Sequence, residues 1–141
     1  MARRSQQPKR LLLVEDQETV RKVLRAILEE EDYEVLDAEH PREALALWAK
    51  HGSTLDLVVT DFVLPEMDGP ELVERIRNLR PGIPVVYISG YLSEDVSERR
   101  FFQPGAAFLQ KPFRAEALVR TVRELLSAQA PDSRKFGGTS R

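Results

Sequence analysis

Short apolar runs alternate along the chain with stretches in which apolar residues recur every three or four positions. Five runs have the length of buried β-strands: residues 10–15, 33–38, 55–60, 84–89 and 106–109. The stretches that follow them have the spacing of amphipathic helices. In the first of these helices the apolar positions are Val20, Val23, Leu24, Ile27 and Leu28. Strands that alternate with helices predict an α/β fold, in which helices cover both faces of a parallel sheet.

Proline and glycine mark the ends of the predicted helices. Pro41 suits the first turn of the second helix, which ends near Gly52 and packs Trp48 against the sheet. The third helix begins near Pro70, and its inward positions are Leu72, Val73, Ile76 and Leu79. The fourth helix, from about Ser93, is only weakly apolar. The fifth helix has an apolar face formed by Leu118, Val119, Val122, Leu125 and Leu126.

The length of 141 residues fits one compact domain, which we place at residues 10–128. Residues 1–9 form a basic N-terminal extension, and the composition of residues 129–141 is typical of a flexible tail or linker. The chain has no cysteine, and its apolar runs are far shorter than the roughly 20 residues that span a bilayer. We therefore expect a cytoplasmic protein without a membrane segment.

Charge is distributed unevenly along the chain. The sequence has 21 Lys and Arg and 23 Asp and Glu, but residues 1–10 and 131–141 hold seven of the bases and one of the acids. The remaining 14 bases and 22 acids give the body of the domain a net charge of −8. Such a body repels a phosphate backbone, so we expect no direct binding of nucleic acid.

Polar side chains follow four of the predicted strands at the points where these strands end. Glu15 and Asp16 follow the first strand, Asp61 the third, and Lys111 the fifth, while Ser89 ends the fourth. We expect these side chains to form a cluster, because the carboxyl ends of parallel strands share one edge of a sheet. Three carboxylates together need a cation, and oxygen ligands without His or Cys favour Mg²⁺.

At these positions the sequence resembles the receiver domains of bacterial two-component response regulators, over residues 10–128. The resemblance rests on four motifs in the same order: Leu-Val-Glu15-Asp16, Asp61-Phe-Val-Leu-Pro-Glu-Met-Asp-Gly69, Ile-Ser89-Gly, and Phe108-Leu-Gln-Lys111-Pro-Phe. It implies a flavodoxin-like (βα)5 fold, a three-layer sandwich whose parallel sheet has the strand order 2-1-3-4-5. The Ser-Gly-Tyr string and the last motif also resemble receivers attached to hybrid sensor kinases.

The resemblance also implies a phosphoacceptor and a metal site. Asp61 matches the residue that accepts a phosphoryl group from the phosphohistidine of a histidine kinase or phosphotransfer domain. Glu15, Asp16 and Asp61 match the carboxylates that hold Mg²⁺, with the backbone carbonyl of Val63 as a further ligand. The chain would then be a signalling phosphoacceptor that catalyses only its own phosphorylation and dephosphorylation, rather than an enzyme with a separate substrate.

The remaining implied roles concern the switch. Ser89 and Lys111 match the residues that bind the phosphoryl group, and the bond between Lys111 and Pro112 is expected to be cis. Phe108 occupies the aromatic switch position, whose inward rotation accompanies a shift of Ser89. Phosphorylation is expected to alter the surface of the fourth helix, fifth strand and fifth helix, which would bind a partner or a second copy of the chain.

Two positions depart from the usual pattern of the family, and two more bear on the lifetime of the phosphoryl group. Glu15 stands where Asp is more usual, and Phe108 replaces the commoner tyrosine, so the switch lacks its hydroxyl group. Val63 and Tyr91, two positions after Asp61 and Ser89, offer neither a carboxamide nor a carboxylate to orient an attacking water. We therefore predict slow self-dephosphorylation.

Two other classes of function share parts of this pattern. A Mg²⁺-dependent phosphohydrolase would also use an aspartyl intermediate, but Asp61 lacks the second acid two residues later that would protonate a leaving group. A flavin- or nucleotide-binding domain of the same topology would need a glycine-rich loop after the first strand, where this chain has Glu15-Asp16-Gln17. The sequence leaves open whether the chain acts alone or belongs to a larger regulator or kinase.

Overall fold

The computed structural model describes residues 8–90 and 105–132, and side chains up to residue 128. Its strands are β1 (Arg10–Val14), β2 (Glu34–Ala38), β3 (Leu57–Asp61), β4 (Val85–Ser89) and β5 (Ala106–Gln110). The described helices are α1 (Glu18–Glu30), α2 (Pro41–His51), α3 (Gly69–Leu79) and α4 (Ala115–Asp132), and a 3₁₀ turn (Gly52–Thr54) follows α2. The helix predicted from about Ser93 lies outside the described residues, so α4 is the fifth helix predicted from the sequence.

The five strands form one parallel sheet in the order β2-β1-β3-β4-β5, which confirms the predicted topology. The register aligns the strand ends that carry the polar side chains. Asp61 of β3 lies opposite Ile88 of β4, and Ser89 lies opposite Gln110 of β5. Glu15, Asp61, Ser89 and Lys111 therefore reach the same edge of the sheet, as the alternation of strands and helices predicts.

The sheet is buried on both faces because its central strands are apolar at successive positions, as expected for parallel strands covered by helices. One face packs against α2 and α3 through a cluster that includes Leu12, Val58, Trp48, Leu72 and Ile76. The other face packs against α1 and α4 through a cluster that includes Leu13, Val59, Leu24, Leu28 and Leu118. The alternation of side chains along each strand thus supplies two separate cores.

Two residues predicted to face inward are exposed. In α1, Leu24 and Leu28 are buried, but Val23 is 53% exposed because one residue turns a helix by about 100° and moves this side chain away from the buried stripe. Leu79 is 72% exposed. It is the last residue of α3, one turn beyond buried Ile76, and it borders an open groove with Arg80.

The end of α2 is fixed by a close contact between a glycine and the tryptophan. Trp48 is buried, as predicted, and Gly52 follows the last residue of the helix with a right-handed φ of −55°. A Cβ atom at Gly52 would lie 2.8 Å from Cε2 of Trp48. Glycine is therefore required here by the approach of the indole ring rather than by a left-handed backbone.

The last helix continues past the boundary predicted for the domain. The backbone of α4 is helical to Asp132, four residues into the segment that the composition assigns to a tail. Among the described helices, none combines the length and the apolar character that crossing a membrane requires.

Candidate functional site

Three carboxylates and one ammonium group meet at the carboxyl edge of the sheet. Oxygen atoms of Glu15, Asp16 and Asp61 all lie within 4.8 Å of one another. Nζ of Lys111 lies 3.7 Å from Oδ1 of Asp61 and 3.9 Å from Oε1 of Glu15. The structure thus brings together four of the side chains that the sequence predicts to cluster.

The three carboxylates differ in their exposure to water. Glu15 and Asp61 are 1% and 7% exposed, whereas Asp16 is exposed at the mouth of the site. Burial, followed by the neighbouring Glu15 carboxylate, raises the pKa of Asp61 to about 8, against an opposing effect of the Lys111 ammonium. Without a cation, the site therefore disfavours the charged form of Asp61 near neutral pH.

The donor set fits a Mg²⁺ ion. Oε1 of Glu15 is buried and accepts no hydrogen bond from the residues that the structure describes, since the ammonium of Lys111 stays 3.9 Å away, and a bound cation would satisfy it. All three side chains offer oxygen ligands, exposed Asp16 leaves room for water, and no His or Cys belongs to the group. Glu15, Asp16 and Asp61 are thus the residues that would hold the ion.

Ser89 and Lys111 are joined through the backbone at the ends of β4 and β5. Ser89 is 5% exposed, and its carbonyl accepts a hydrogen bond of 2.8 Å from the N–H of Lys111. The peptide bond between Lys111 and Pro112 is cis, as predicted. Ser89 ends the strand next to Asp61, and the ammonium of Lys111 reaches Asp61 directly.

Phe108 packs within an aromatic group below the site. Its ring is stacked on Tyr87 at a centroid distance of 5.2 Å and lies 5.8 Å from Phe62, which follows Asp61. Phe62 and Tyr87 also contact each other edge to face at 5.7 Å. The sequence predicts a role for Phe108 but not for its two partners, although all three are aromatic residues in or directly after adjacent strands.

The loop after β3 is held against the backbone of Asp61. The N–H of Gly69 donates to the carbonyl of Phe62 at 2.8 Å, and a Cβ at Gly69 would lie 2.3 Å from the carbonyl oxygen of Asp61. Asp68 caps α3 by accepting a hydrogen bond from the N–H of Glu71. The side chain of Val63 is 71% exposed, and Tyr91 lies outside the described residues.

A second group of potential metal ligands lies at the start of α2, away from this cluster. Glu39, His40 and Glu43 bring ligand atoms within 4.8 Å of one another. Oε1 of Glu43 already accepts a hydrogen bond from the N–H of Glu39, which ties the first turn of α2 to the residue before its N-cap, His40. We therefore assign this group to the local structure at the start of α2.

The chain is thus a doubly wound α/β domain that carries an acidic cluster at the carboxyl ends of its strands. Residues 11–123 match the sequence pattern of the response regulator receiver domain family. The response regulator receiver protein CpdR of Brucella abortus is 31% identical over 120 residues, which cover 85% of this chain and 98% of that protein. The chain belongs to the response regulator receiver domain family.

Other relatives are much longer than the matching region. The sensor kinase CckA of Brucella abortus is 37% identical over 119 residues, which cover 84% of this chain and 13% of that protein. The transcriptional regulatory protein GlrR of Escherichia coli is 33% identical over 127 residues, 28% of its length. The chain therefore spans less than a third of the length of these two relatives.

Solved structures support the same assignment. The crystal structure of the receiver domain from the hybrid histidine kinase CckA has a TM-score of 0.71 and 34% identity, and covers 83% of this chain and 98% of that one. A CheY-like receiver domain from Methanospirillum hungatei has a TM-score of 0.79 and 33% identity, and covers 89% of this chain and 98% of that one. The chain is thus a receiver domain of two-component signalling.

Proposed function

We propose that Asp61 is the phosphoacceptor of this receiver domain. The observation that carries the proposal is the environment of its carboxylate, which is almost fully buried, clustered with Glu15 and Asp16, and 3.7 Å from the ammonium of Lys111. Glu15 is also buried and lies 3.9 Å from the same ammonium, but its other oxygen, Oε2, accepts a hydrogen bond from the N–H of Gln17, and Asp16 is exposed. A nucleophile in such a site is oriented before its substrate arrives.

In the proposed reaction a carboxylate oxygen of Asp61 attacks the phosphorus of a phosphohistidine. The new bond is an O–P bond, the N–P bond of the donor breaks, and the imidazole leaves with the bonding electron pair. The nucleophile must be ionised, and the ammonium of Lys111 favours that form. When bound, Mg²⁺ supplies positive charge against the oxygens of the transferring phosphoryl group.

Charge balance explains the role proposed for Ser89 and Lys111. Phosphorylation replaces one negative charge on Asp61 with a group of about −2, so additional donors are needed. Lys111 provides an ammonium within reach of Asp61, and Ser89 provides a hydroxyl at the end of the adjacent strand. The backbone carbonyl of Val63, two residues after Asp61, is proposed as a further ligand for the ion.

The proposed output is a change of the surface formed by the fourth predicted helix, β5 and α4. Phe108 lies in β5, which borders that surface, and its ring packs on Tyr87 two residues before Ser89. A shift of Ser89 toward the phosphoryl group would therefore move the same strand as Tyr87 and reach Phe108 through the contact between the two rings. The partners that we propose are a histidine kinase or phosphotransfer domain upstream, and a binding protein or a second copy of this chain downstream.

The proposal is tested with beryllofluoride, which imitates an aspartyl phosphate. The full chain would be titrated with and without Mg²⁺ and followed by amide NMR, with size measured at the end of each titration. We expect saturable shifts that need Mg²⁺ and centre on residues near Asp61, Ser89 and Lys111. Transfer from a phosphorylated histidine phosphotransfer domain, followed by intact mass, tests the chemistry itself.

Two variants separate the acceptor from other acids. Asp61→Asn should abolish both the beryllofluoride response and the gain of one phosphoryl group. Asp56→Asn is the matched control, because Asp56 directly precedes β3, at the end opposite Asp61, and its Oδ2 accepts a hydrogen bond from the N–H of Arg10. A phosphoryl group that still attaches to Asp61→Asn would contradict the assignment.

A separate prediction concerns the lifetime of the phosphoryl group. Because the Val63 side chain cannot orient a water molecule, the phosphorylated protein should lose its phosphoryl group slowly, and Val63→Asn should accelerate the loss.

A further inference from the structure

Arg21 connects the acidic cluster to the second strand. Its Nη1 donates a hydrogen bond of 2.9 Å to the backbone carbonyl of Glu15, and its Nε lies 3.3 Å from Oδ2 of Asp37. The side chain of Arg21 is only 15% exposed, so these charge-assisted contacts are largely shielded from water. Arg21 thus links the loop that carries two of the three acids to α1 and β2.

Glu15 is held by hydrogen bonds through its backbone and its Oε2, while its Oε1 faces the cluster and lies 3.9 Å from Nζ of Lys111. Its N–H donates to the carbonyl of Ala38, its own carbonyl accepts from Arg21, and its Oε2 accepts from the N–H of Gln17. Within the described part of the chain, its buried Oε1 accepts no hydrogen bond. Glutamate has more rotatable bonds than aspartate, so placing this oxygen depends more strongly on a fixed main chain.

We infer that Arg21 is a positioning residue for the divalent cation site. By holding the carbonyl of Glu15, it fixes the main chain from which Oε1 is directed into the cluster. The inference rests on the proposed function in one respect, that Glu15, Asp16 and Asp61 hold Mg²⁺. Residues that orient metal ligands in this way affect metal affinity without touching the ion.

Charge alone predicts the opposite effect, and this makes the inference testable. Arg21 is a cation beside an acidic cluster, so removing it would strengthen Mg²⁺ binding if only its charge mattered. Removing a positioning contact should instead weaken binding. Arg25 offers a matched control, because it also pairs with Asp37, at 2.7 Å, but its other ionic partner is Glu29.

The experiment is a Mg²⁺ titration of the full chain by amide NMR. We expect Arg21→Ala to raise the Kd about tenfold and Arg25→Ala to change it less than twofold. Arg21→Lys keeps the charge and one donor, and should recover part of the affinity. Hydrogen exchange without metal supplies a second readout, in which Arg21→Ala speeds exchange of the Gln17 amide that donates to Glu15, and Arg25→Ala does not.

The outcomes distinguish this inference from the proposed function. If Arg21→Ala has the same Kd for Mg²⁺ as the native chain, or the same Kd as Arg25→Ala, the positioning role is wrong while the metal site stands. If the native chain does not bind Mg²⁺, the proposed metal site fails and the positioning role toward it fails as well. If Arg21→Ala does not fold, Arg21→Lys against Arg25→Lys gives the same comparison, and equal affinities would overturn the inference.

Discussion

Replacing the ionisable side chain of Asp61 with asparagine should stabilise the metal-free protein at neutral pH. The pKa of Asp61 is raised from 3.8 to about 8 by burial and by Glu15, so the native state holds a proton that the unfolded chain releases at lower pH. Stability from this group is complete below about pH 4 and is lost as the pH rises toward 8. At pH 7 the loss is about 4 kcal/mol, because one pKa unit corresponds to about 1.36 kcal/mol.

The assay is urea denaturation of the metal-free chain, followed by the fluorescence of buried Trp48, between pH 5 and pH 7. Asp61→Asn cannot ionise, so its advantage over the native chain should grow by about 2 to 3 kcal/mol across this range. Mg²⁺ at 100 times its Kd should return about 2.7 kcal/mol to the native chain and reduce the difference. Asp37→Asn is the control and should lower stability, because it breaks the pairs with Arg21 and Arg25.

Two results would refute this reasoning. If Asp61→Asn were no more stable than the native chain at pH 7 without metal, burial and the Glu15 carboxylate would not destabilise the charged form of Asp61. If its advantage were the same at pH 5 and pH 7, the effect would come from packing, because only titration of Asp61 gives the slope.

Three further substitutions test the packing around the site by the same denaturation assay. Gly69→Ala places a Cβ 2.3 Å from the carbonyl oxygen of Asp61 and should cost at least about 1 to 3 kcal/mol. A Cβ at Gly90 meets no atom of the described residues within 4 Å, so Gly90→Ala is the control, and equal losses would contradict the contact. Glu66→Gly should add about 1 kcal/mol, because the φ of Glu66 is +73°, and a loss would show that its pair with Arg42 matters more. Leu118→Ala should cost about 2 to 5 kcal/mol and exposed Val23→Ala less than about 0.5, so similar losses would contradict the burial pattern.

The sheet and the edge that carries the site were predictable from local features of the sequence. Apolar runs that end in Glu15, Asp61 and Ser89 give the strands and their polar ends, and the alternation with helices makes those ends meet. Burial of Trp48 and the start of α2 at Pro41 follow from spacing and from the conformation of proline. These features depend on short-range sequence patterns, which do not change with the exact way the helices pack on the sheet.

The contacts that support the site could not be predicted in the same way. The pairing of Arg21 with Asp37 depends on how α1 lies over β2, and the stacking of Tyr87 on Phe108 depends on the alignment of β4 with β5. Val23 and Leu79 carry apolar side chains at helical spacing and are nevertheless exposed. Periodicity shows which side of a helix faces the core, but not how far around the helix the buried contact extends. The sequence gives one hint of this pairing: Arg21 and Arg25 lie four residues apart on one helix face and could share an acidic partner.

Because β5 lies at the edge of the sheet, the two parts of the site differ in their stability against local opening. Glu15, Asp16 and Asp61 are attached to β1 and β3, which are flanked by strands on both sides. Lys111 follows β5, which among the described strands pairs only with β4 and whose side chains are half-buried or exposed. Edge strands open more readily than central strands. Transient detachment of β5 would therefore release the ammonium group while the carboxylates stayed assembled. In such a partly opened protein the proposed cation site would outlast the ion pair that partly balances the charge of Asp61.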